Sequence, residues 1–283
     1  MESGSRKYLL NIRGTLRELQ LPCVMGILNI TPDSFYEASR VDEIEDVLSK
    51  CGQMLREGAA IIDIGAASTR PGAIYPGAKI ELQRLQKVFP KLRKQFPDAI
   101  FSIDTWNAEV AERMIDMGAD IINDISSGEL DPHMLNVIVR SKVPYIIMHM
   151  RGQPENMQQF TDYINIVSEI NTYFVEKIRE LRLAGISDII IDPGFGFSKT
   201  IEQNYELLGR LNEFLLHGVP VLVGLSRKSM ISKSLGCSTE ETLCGTTAAN
   251  TIALMNGASL LRVHDAKAAV DAIAIFKNIQ YPL

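Results

Sequence analysis

Polar side chains recur at the carboxyl-terminal ends of apolar segments along most of this chain. The clearest case is Ile189-Ile190-Ile191, a run that predicts a strand buried on both faces and is followed directly by Asp192. A carboxylate in that place is costly unless something pairs with it, so Asp192 either caps a turn or binds a ligand. Comparable polar side chains follow or interrupt other apolar segments at Asn29, Asp63, Ser68-Thr69-Arg70, Asp104, Asn123, His149, Lys228, Arg262 and His264.

Four of these residues could surround a flat heterocycle. Asp104 and Asp192 offer carboxylate acceptors, Asn123 offers an amide, and Lys228 offers ammonium donors. Carboxylates accept hydrogen bonds from ring N–H groups, whereas amides and ammonium groups donate to ring nitrogens and carbonyl oxygens. A mixed set of this kind indicates a nitrogen-rich ring as one ligand.

The cationic residues of the set suit an oxyanion. Arg70, Arg262 and His264 could bind phosphate or diphosphate, because guanidinium groups form paired hydrogen bonds with such oxygens. Asn29 could join them, could hold a hard cation through its amide oxygen, or could simply be a turn residue. Mg²⁺ typically takes one or two protein ligands beside phosphate oxygens and water, so one asparagine is compatible with a magnesium site.

The segments that would position these residues alternate between strand and helix. Short connections predict parallel strands with right-handed crossovers, and eight strands in 283 residues favour a closed TIM (β/α)8 barrel in the α/β class. Because the carboxyl ends of barrel strands converge on one face, the polar residues should share one pocket. The predicted strands span 23–30, 60–65, 101–105, 121–125, 144–150, 189–191, 219–224 and 259–265. The predicted helices span 42–57, 79–96, 107–117, 131–141, 161–184, 202–215, 240–256 and 265–278.

An alternating stretch precedes the predicted barrel. Residues 8–21 alternate and break at Arg13-Gly14, which predicts a short hairpin. We therefore expect a single domain over 1–283, with 1–21 as an N-terminal extension. No GxGxxG or P-loop motif is found, which counts against a nucleotide-binding open sheet.

The composition of the chain indicates which partners and which cell compartment to expect. The chain is 46% hydrophobic and 22% charged with a net charge of −5, and this mild acidity gives no support for nucleic-acid binding. No apolar run approaches the roughly 20 residues that span a bilayer, and the N-terminus lacks a signal-peptide pattern. The four cysteines have no metal-like spacing and are interpreted as reduced thiols, so we expect a cytoplasmic protein without membrane partners.

Two connections are long for barrel loops. TPDSFYEASR (31–40) and AASTRPGAIYPGA (66–78) are rich in turn residues, and loops of this length are often lids or binding loops. Phe35 at the tip of the first loop is either a lid aromatic or a residue that packs on a neighbouring loop.

Taken together, the motifs resemble the dihydropteroate synthase family. The resemblance runs from about residue 22 to the C-terminus and rests on VMGILNITPDSF (24–35), IIDIGAASTRPGA (61–73), FSIDT (101–105), IINDIS (121–126), IDPGFGF (191–197), GLSRKS (224–229) and LRVHD (261–265). It implies an enzyme of folate synthesis that joins p-aminobenzoate to 6-hydroxymethyl-7,8-dihydropterin diphosphate and releases diphosphate. It also implies Mg²⁺ as cofactor and sulfonamides as inhibitors.

The resemblance also assigns roles to individual residues. For the pterin it implies Asp63, Asp104, Asn123, Met148, Asp192 and Lys228. For the diphosphate it implies Asn29, Arg70, Arg262 and His264, with Asn29 also as the metal ligand. For the p-aminobenzoate slot and the closing loops it implies Phe35, Ser68, Thr69, Pro71, Phe197 and Ser229.

The family mechanism fits these residue types. Diphosphate would leave first, with cationic groups absorbing its charge, and the arylamine would attack the remaining pterin-stabilised methylene cation. No Ser/His/Asp nucleophile pattern is expected, since Ser226 and Ser229 flank cations rather than a histidine.

Two stretches depart from the family pattern. Ala66-Ala67 stands where Gly-Glu is usual, and Tyr36-Glu37-Ala38-Ser39 stands where Ser-Asp-Gly-Gly is usual.

Two other functions remain open at this point. A pterin-binding methyltransferase barrel would use similar Asp and Asn positions but would not need the SRKS motif or the cluster of Arg262 and His264. A non-catalytic pterin-binding paralogue would fit the altered loops. The resemblance further implies a homodimer through the last helices, whose Leu254, Ile273 and Phe276 are explained equally well by a buried core face.

Overall fold

A computed structural model describes residues 6–30, 40–67, 72 and 74–280 of the chain. Within these residues the strands form a two-stranded antiparallel sheet and an eight-stranded parallel sheet. The strands are β1 Arg6–Ile12, β2 Thr15–Leu21, β3 Cys23–Asn29, β4 Ile61–Gly65, β5 Ile100–Asp104, β6 Ile121–Asp124, β7 Tyr145–Met148, β8 Ile189–Asp192, β9 Leu222–Val223 and β10 Leu260–Val263.

The parallel strands form a nearly closed barrel. Their order around the sheet is β8-β7-β6-β5-β4-β3-β10-β9, so each strand from β3 to β8 pairs with its neighbour in sequence. A bridge between Ile191 and Val221 joins β8 to the segment before β9, at the place where the ring would otherwise stay open. The predicted TIM barrel is therefore confirmed.

Helices cover the outside of the barrel and bury their apolar faces against the outward side chains of the strands. They are α1 Arg40–Arg56, α2 Ala78–Gln95, α3 Ala108–Asp116, α4 Met134–Ser141, α5 Ile166–Leu183, α6 Ile201–Gly209, α7 Ser229–Leu235, α8 Leu243–Met255 and α9 Ala266–Gln280. None of the helices in the described part of the chain is long and apolar enough to cross a membrane.

Three of the predicted boundaries were wrong, and one helix was missed. The helix predicted from 161 starts at α5, because the Asn165 side chain accepts the Ser168 N–H and caps the helix there. The helix predicted over 202–215 ends at Gly209 and is followed by a 3₁₀ helix over Leu211–His217. The strand predicted over 219–224 shortens to β9, and α7 was missed because its seven residues are too few to show a helical period.

The N-terminal hairpin closes the amino-terminal mouth of the barrel. Strands β1 and β2 pair in antiparallel register across Arg13-Gly14, as predicted. Four of their side chains, Leu10, Ile12, Leu19 and Leu21, are buried in one apolar cluster with inward-facing barrel residues. The barrel residues of this cluster are Cys23, Met25, Ile61, Ile121, Ile146, Ile190, Leu222 and Leu260.

Polar contacts fix the hairpin in this position. Arg13 in the turn forms a 3.0 Å ion pair with Asp120, whose side chain is fully buried and also pairs with Arg93 at 2.5 Å. The backbone N–H of Asn11 donates to the Asp188 carboxylate at 2.6 Å. The hairpin therefore belongs to the same packed unit as the barrel.

The apolar residues noted in the last helices face inward. Leu254 and Ile273 are buried, and Phe276 packs against the main core. For these three residues the core interpretation is the correct one, so any contact between chains must use other side chains.

We expect the hairpin to stabilise the fold without contacting ligands. Ile12→Ala removes a buried side chain from the cluster and should lower the free energy of unfolding by about 2–5 kcal/mol, measured by urea denaturation. Leu16→Ala, on the exposed face of the same hairpin, should change it by less than about 0.5 kcal/mol. Equal losses in the two variants would contradict this role.

Candidate active site

The carboxyl ends of the barrel strands bring the predicted polar residues into one layer. Asn29 pairs in register with Gly65, Gly65 with Asp104, and Asp104 with Asn123. On the other side of the barrel, Met148 pairs with Asp192. The predicted convergence is confirmed for these positions, which come from the six strands β3 to β8.

Strand geometry explains why the layer is polar. Inward-facing positions alternate with a period of two, so the residue two places after an inward apolar residue also faces inward. Five of the barrel residues in the hairpin cluster are followed, two places later, by an inward residue that is polar or a methionine. The pairs are Ile61 and Asp63, Ile121 and Asn123, Ile146 and Met148, Ile190 and Asp192, and Leu260 and Arg262.

Arg262 links the carboxylates at the centre of this layer. Its Nε donates to Asp63 Oδ2 at 2.6 Å, and its terminal nitrogen donates to Asp104 Oδ2 at 2.5 Å. Asn123 donates its amide to the same Asp63 oxygen at 3.1 Å. The sequence placed Arg262 with the oxyanion residues alone, whereas the structure shows that it also holds two residues of the ring-binding set.

The protonation of this cluster is governed by burial and by the ion pairs. Burial raises the pKa of Asp104, although the Arg262 guanidinium opposes the shift. Burial lowers the pKa of Arg262, but Asp63 and Asp104 more than offset this, so its pKa lies above the usual value. Arg262 is therefore charged, and Asp63 Oδ1 remains buried without a hydrogen-bond partner in the described part of the chain.

Asp192 and Lys228 are joined through the loop that follows β8. Asp192 Oδ1 accepts the Gly194 N–H at 2.7 Å, and Lys228 Nζ donates to the Phe195 carbonyl. Burial raises the pKa of Asp192, against the effect of Lys228. Burial also lowers the pKa of Lys228 to about 8, against the effect of Asp192.

Two predicted p-aminobenzoate residues lie beside Lys228. The Phe197 ring centroid is 4.8 Å from Lys228 Nζ, within the range of a cation–π contact. Ser229 follows Lys228 as the first residue of α7 and is exposed. The Phe197 ring thus lies beside the ammonium group, and Ser229 is the next residue in the chain.

Ser226 contacts a histidine, contrary to the expectation from sequence. Its Oγ lies 3.0 Å from His264 Nδ1 and accepts the His264 backbone N–H at 3.2 Å. Because this oxygen accepts from the backbone, its own hydrogen can be donated to Nδ1. The contact orients the imidazole so that Nε2 is the nitrogen that could meet an anion.

A space suited to a hard cation lies beside Asn29. A Cβ added to Gly65 would stand 3.2 Å from Asn29 Oδ1 and 3.7 Å from Asp104 Oδ2, so the glycine keeps this space open between an amide oxygen and a carboxylate. Both are ligand types that Mg²⁺ prefers. No cluster of three or more His, Cys, Asp or Glu side chains suited to a metal occurs within the described residues. The Asn29 amide oxygen and the Asp104 carboxylate could hold a cation whose other ligands come from substrate and water.

Sequence reasoning missed the apolar wall of the site. Trp106 and Ile125 form a cluster with Met148, and the half-buried Phe197 and Tyr75 pack against it. The Tyr75 ring lies 4.5 Å from Trp106, and its hydroxyl donates to buried Glu81 at 2.6 Å. Trp106 could have been found, since the only tryptophan of the chain stands two residues after Asp104.

The predicted loop residues Phe35, Ser68, Thr69, Arg70 and Pro71 lie outside the described residues, as does the Tyr36-Glu37-Ala38-Ser39 departure. On the near side of the second loop, the Ala66 carbonyl accepts from Arg84 at 2.7 Å. On its far side, the Gly72 N–H donates to the Pro154 carbonyl at 3.2 Å. This second contact joins the loop after β4 to the loop after β7, across the mouth of the barrel.

Comparisons with a family model, with known sequences and with solved structures all identify the same family. Residues 25–264 match the family model described as "Pterin binding enzyme". The chain is 42% identical to the dihydropteroate synthase of Escherichia coli K12 over 93% of each chain. It is similar to the solved Xanthomonas albilineans dihydropteroate synthase with 4-aminobenzoic acid, with a TM-score of 0.90 and 37% identity over 97% of this chain and 99% of that one. It is also similar to the Yersinia pestis dihydropteroate synthase in a sulfonamide drug complex, with a TM-score of 0.89 and 39% identity over 96% and 99% of the two chains. The chain therefore belongs to the dihydropteroate synthase family of pterin-binding enzymes.

Proposed function

We propose that this chain is a dihydropteroate synthase, a transferase that condenses 6-hydroxymethyl-7,8-dihydropterin diphosphate with p-aminobenzoate to give 7,8-dihydropteroate and diphosphate. The observation that carries the proposal is the joining of two residue sets at one mouth of the barrel. Arg262 lies between Asp63 and Asp104, and Asp192 lies beside Lys228 on the same rim. A pterin diphosphate requires hydrogen-bonding groups around its ring and cationic groups beside its diphosphate.

The pterin ring would lie in the polar layer against the apolar wall. Asp104 and Asp192 would accept ring N–H groups, while Asn123 and Lys228 would donate to ring nitrogen and carbonyl acceptors. Asp63 would act mainly through Arg262 and Asn123, since its Oδ2 already accepts from both. Met148 would contact the flat face of the ring.

The diphosphate would lie toward β3 and the end of β10. His264, Arg262 and Arg70 would bind its oxygens, and Asn29 would hold Mg²⁺ next to the space left by Gly65. When bound, the metal would neutralise charge that develops on the leaving oxygens. Loss of diphosphate would come first, and the carboxylates Asp104 and Asp192 would stabilise the cation that remains on the pterin.

The p-aminobenzoate would enter beside Phe197, Ser229 and the loop residues Phe35, Ser68, Thr69 and Pro71. Phe197 would contact the aromatic ring, and Ser229 at the start of α7 would donate to the carboxylate. The arylamine is a weak base, so its attack on a cation needs no strong general base. The Ser226–His264 contact is assigned to orientation of the imidazole rather than to nucleophilic catalysis.

The two alternatives fit these contacts less well. A methyltransferase that holds methyltetrahydrofolate has no diphosphate to bind, which leaves the arrangement of Asn29, Gly65 and His264 without a purpose. A non-catalytic paralogue would keep the ring site but would not need an arylamine slot beside Lys228.

We also propose the assembly and the compartment. A homodimer is supported by side chains on the last helices that point outward rather than inward, namely Ile252, Met255, Ile275 and Ile279. A single domain is supported by the core that the hairpin shares with the barrel. A cytoplasmic location is supported by the free thiols of Cys23 and Cys51, since cysteines stay reduced in that compartment.

We expect purified protein to release diphosphate from the pterin ester at a rate that depends on p-aminobenzoate and on Mg²⁺. Diphosphate should be measured with and without the arylamine, then after chelation with EDTA and after Mg²⁺ is restored. Loss on chelation and recovery on restoration would support the metal site. Diphosphate release without formation of 7,8-dihydropteroate when p-aminobenzoate is present would refute the synthase.

Pterin affinity should depend on the protonation of Lys228. Its pKa is lowered to about 8, so the ammonium donor is present below that pH and is lost as the pH rises through it. The affinity for 6-hydroxymethyl-7,8-dihydropterin should therefore fall by up to about tenfold per pH unit above this value, measured by titration calorimetry between about pH 7 and 9.5. Lys228→Met should bind more weakly and remove this decline. If the affinity of the Lys228→Met variant still falls as the pH rises, the decline is caused by another titratable group.

The dimer is testable by sedimentation equilibrium. The wild-type chain should sediment at twice the mass of one chain, and Ile252→Asp should shift it toward monomer by placing a charge in an apolar contact. Leu183→Asp, which adds the same charge on the exposed part of α5, is the matched control and should stay dimeric. A wild-type chain that is monomeric at micromolar concentration would end the proposal.

A further inference from the structure

Lys199 is a buried lysine that the family resemblance did not single out. Its side chain is 3% exposed, and its Nζ lies 2.9 Å from the carbonyl oxygens of both Gly194 and Phe197. The same nitrogen lies 3.3 Å from the carbonyl oxygen and from Nδ1 of His149. One amino group therefore contacts the loop after β8 at two places and the segment after β7 at a third.

The loop over residues 193–198 depends on side-chain donors for much of its backbone. The Phe197 N–H donates to the Gly194 carbonyl at 3.1 Å, whereas the Phe195 carbonyl accepts from Lys228 and the Phe197 carbonyl accepts from Lys199. Gly194, Gly196 and Ser198 all have positive φ values, at 75°, 81° and 47°, which break any regular hydrogen-bond pattern. A Cβ on Gly194 would stand 2.1 Å from the His149 carbonyl, so the loop packs directly on the neighbouring backbone. The carbonyl groups of His149 and Phe197 would be costly to bury without a donor, and Lys199 supplies one to each while adding a second donor to the Gly194 carbonyl.

The same loop holds the two residues assigned to the pterin ring. The Gly194 N–H donates to Asp192, the Phe195 carbonyl accepts from Lys228, and the Phe197 ring lies beside the Lys228 ammonium group. Lys199 contacts the residues at both ends of this set, Gly194 and Phe197. A change in the conformation of this loop would therefore move both Asp192, the hydrogen-bond acceptor, and Lys228, the hydrogen-bond donor, of the ring site.

We propose that Lys199 is a positioning residue for pterin binding, which acts by holding the 194–197 loop in the shape that aligns Asp192 with Lys228. The inference rests on the proposed pterin site. Lys199 itself is too deeply buried to serve as the main ligand contact, and burial lowers its pKa while Asp192 raises it.

The first test is Lys199→Met, which keeps the length and apolar stem of the side chain but removes the amino group. By titration calorimetry with 6-hydroxymethyl-7,8-dihydropterin, its affinity should fall at least about tenfold at unchanged stoichiometry, since small misplacements of site groups carry losses of this size. Lys91→Met, the same change at an exposed position on α2, should bind as the wild type does. Wild-type affinity in Lys199→Met would overturn the inference.

The second test separates positioning from general stability by a double-mutant cycle in kcat/KM. If Lys199 acts by aligning Lys228, Lys199→Met should cost at least about tenfold in the wild-type background but less than about threefold in Lys228→Met. Equal losses in the two backgrounds would mean that Lys199 only stabilises the fold. If circular dichroism shows that the methionine variant does not fold, Lys199→Gln, which keeps a hydrogen-bond donor on a shorter side chain, replaces it in both tests.

The outcomes also distinguish this inference from the proposed function. A wild-type chain that binds no dihydropterin would overturn the proposed function and the inference with it. A wild-type chain that binds and turns over substrate, beside a Lys199→Met variant with unchanged affinity and kcat/KM, would overturn the inference alone.

Discussion

The contact of Arg262 with Asp63 and Asp104 is the interaction on which the site depends. Strand β10 pairs with β3, so Arg262 must extend across β3 to reach carboxylates on β4 and β5. Asp63 is fully buried, and a lone ionised carboxylate there would be unstable. The guanidinium group is suited to the task because it stays charged and presents a rigid fork of donors. Strands separated by more than 150 residues in sequence are thereby held in one arrangement at the mouth.

The two ends of the barrel divide stability from function. At the amino-terminal end, the hairpin and the inward apolar residues make a closed apolar cluster, and the ion pairs of Asp120 fasten the turn. At the carboxyl-terminal end, the next inward layer is polar. Because the hairpin excludes water from below, the charged layer lies in a region of low dielectric constant, where ion pairs and hydrogen bonds to a ligand are stronger than in water.

The sequence was sufficient for the barrel and for the strand-end residues, but not for their pairing. Parallel strands leave long apolar runs, so strands such as 121–125 and their terminal polar residues are visible as patterns. The contact of Ser226 with His264 and the position of Lys199 depend on which loops meet in space, and no local pattern encodes this. The α7 helix was missed because its seven residues are too few to show a helical period, so no local pattern marks it. The place of the hairpin was equally hidden, although its alternation was clear.

The charges at the mouth indicate why the proposed diphosphate site would need groups from outside the strands. Among the described residues facing this layer, the carboxylates Asp63, Asp104 and Asp192 are set against the cations Arg262 and Lys228. Two donors of Arg262 are already committed to carboxylates, so a diphosphate placed there would meet more repulsion than the strands can offset. Additional positive charge must come from outside the sheet. In the proposed complex, a cation beside Asn29 and Arg70 on the loop after β4 would supply it, while His264 just beyond β10 would donate a hydrogen bond from Nε2. In the proposed mechanism, the same surplus of carboxylates would favour a positively charged pterin once the diphosphate has left. The arrangement that makes anion binding depend on added cations would then also stabilise the cation that forms next.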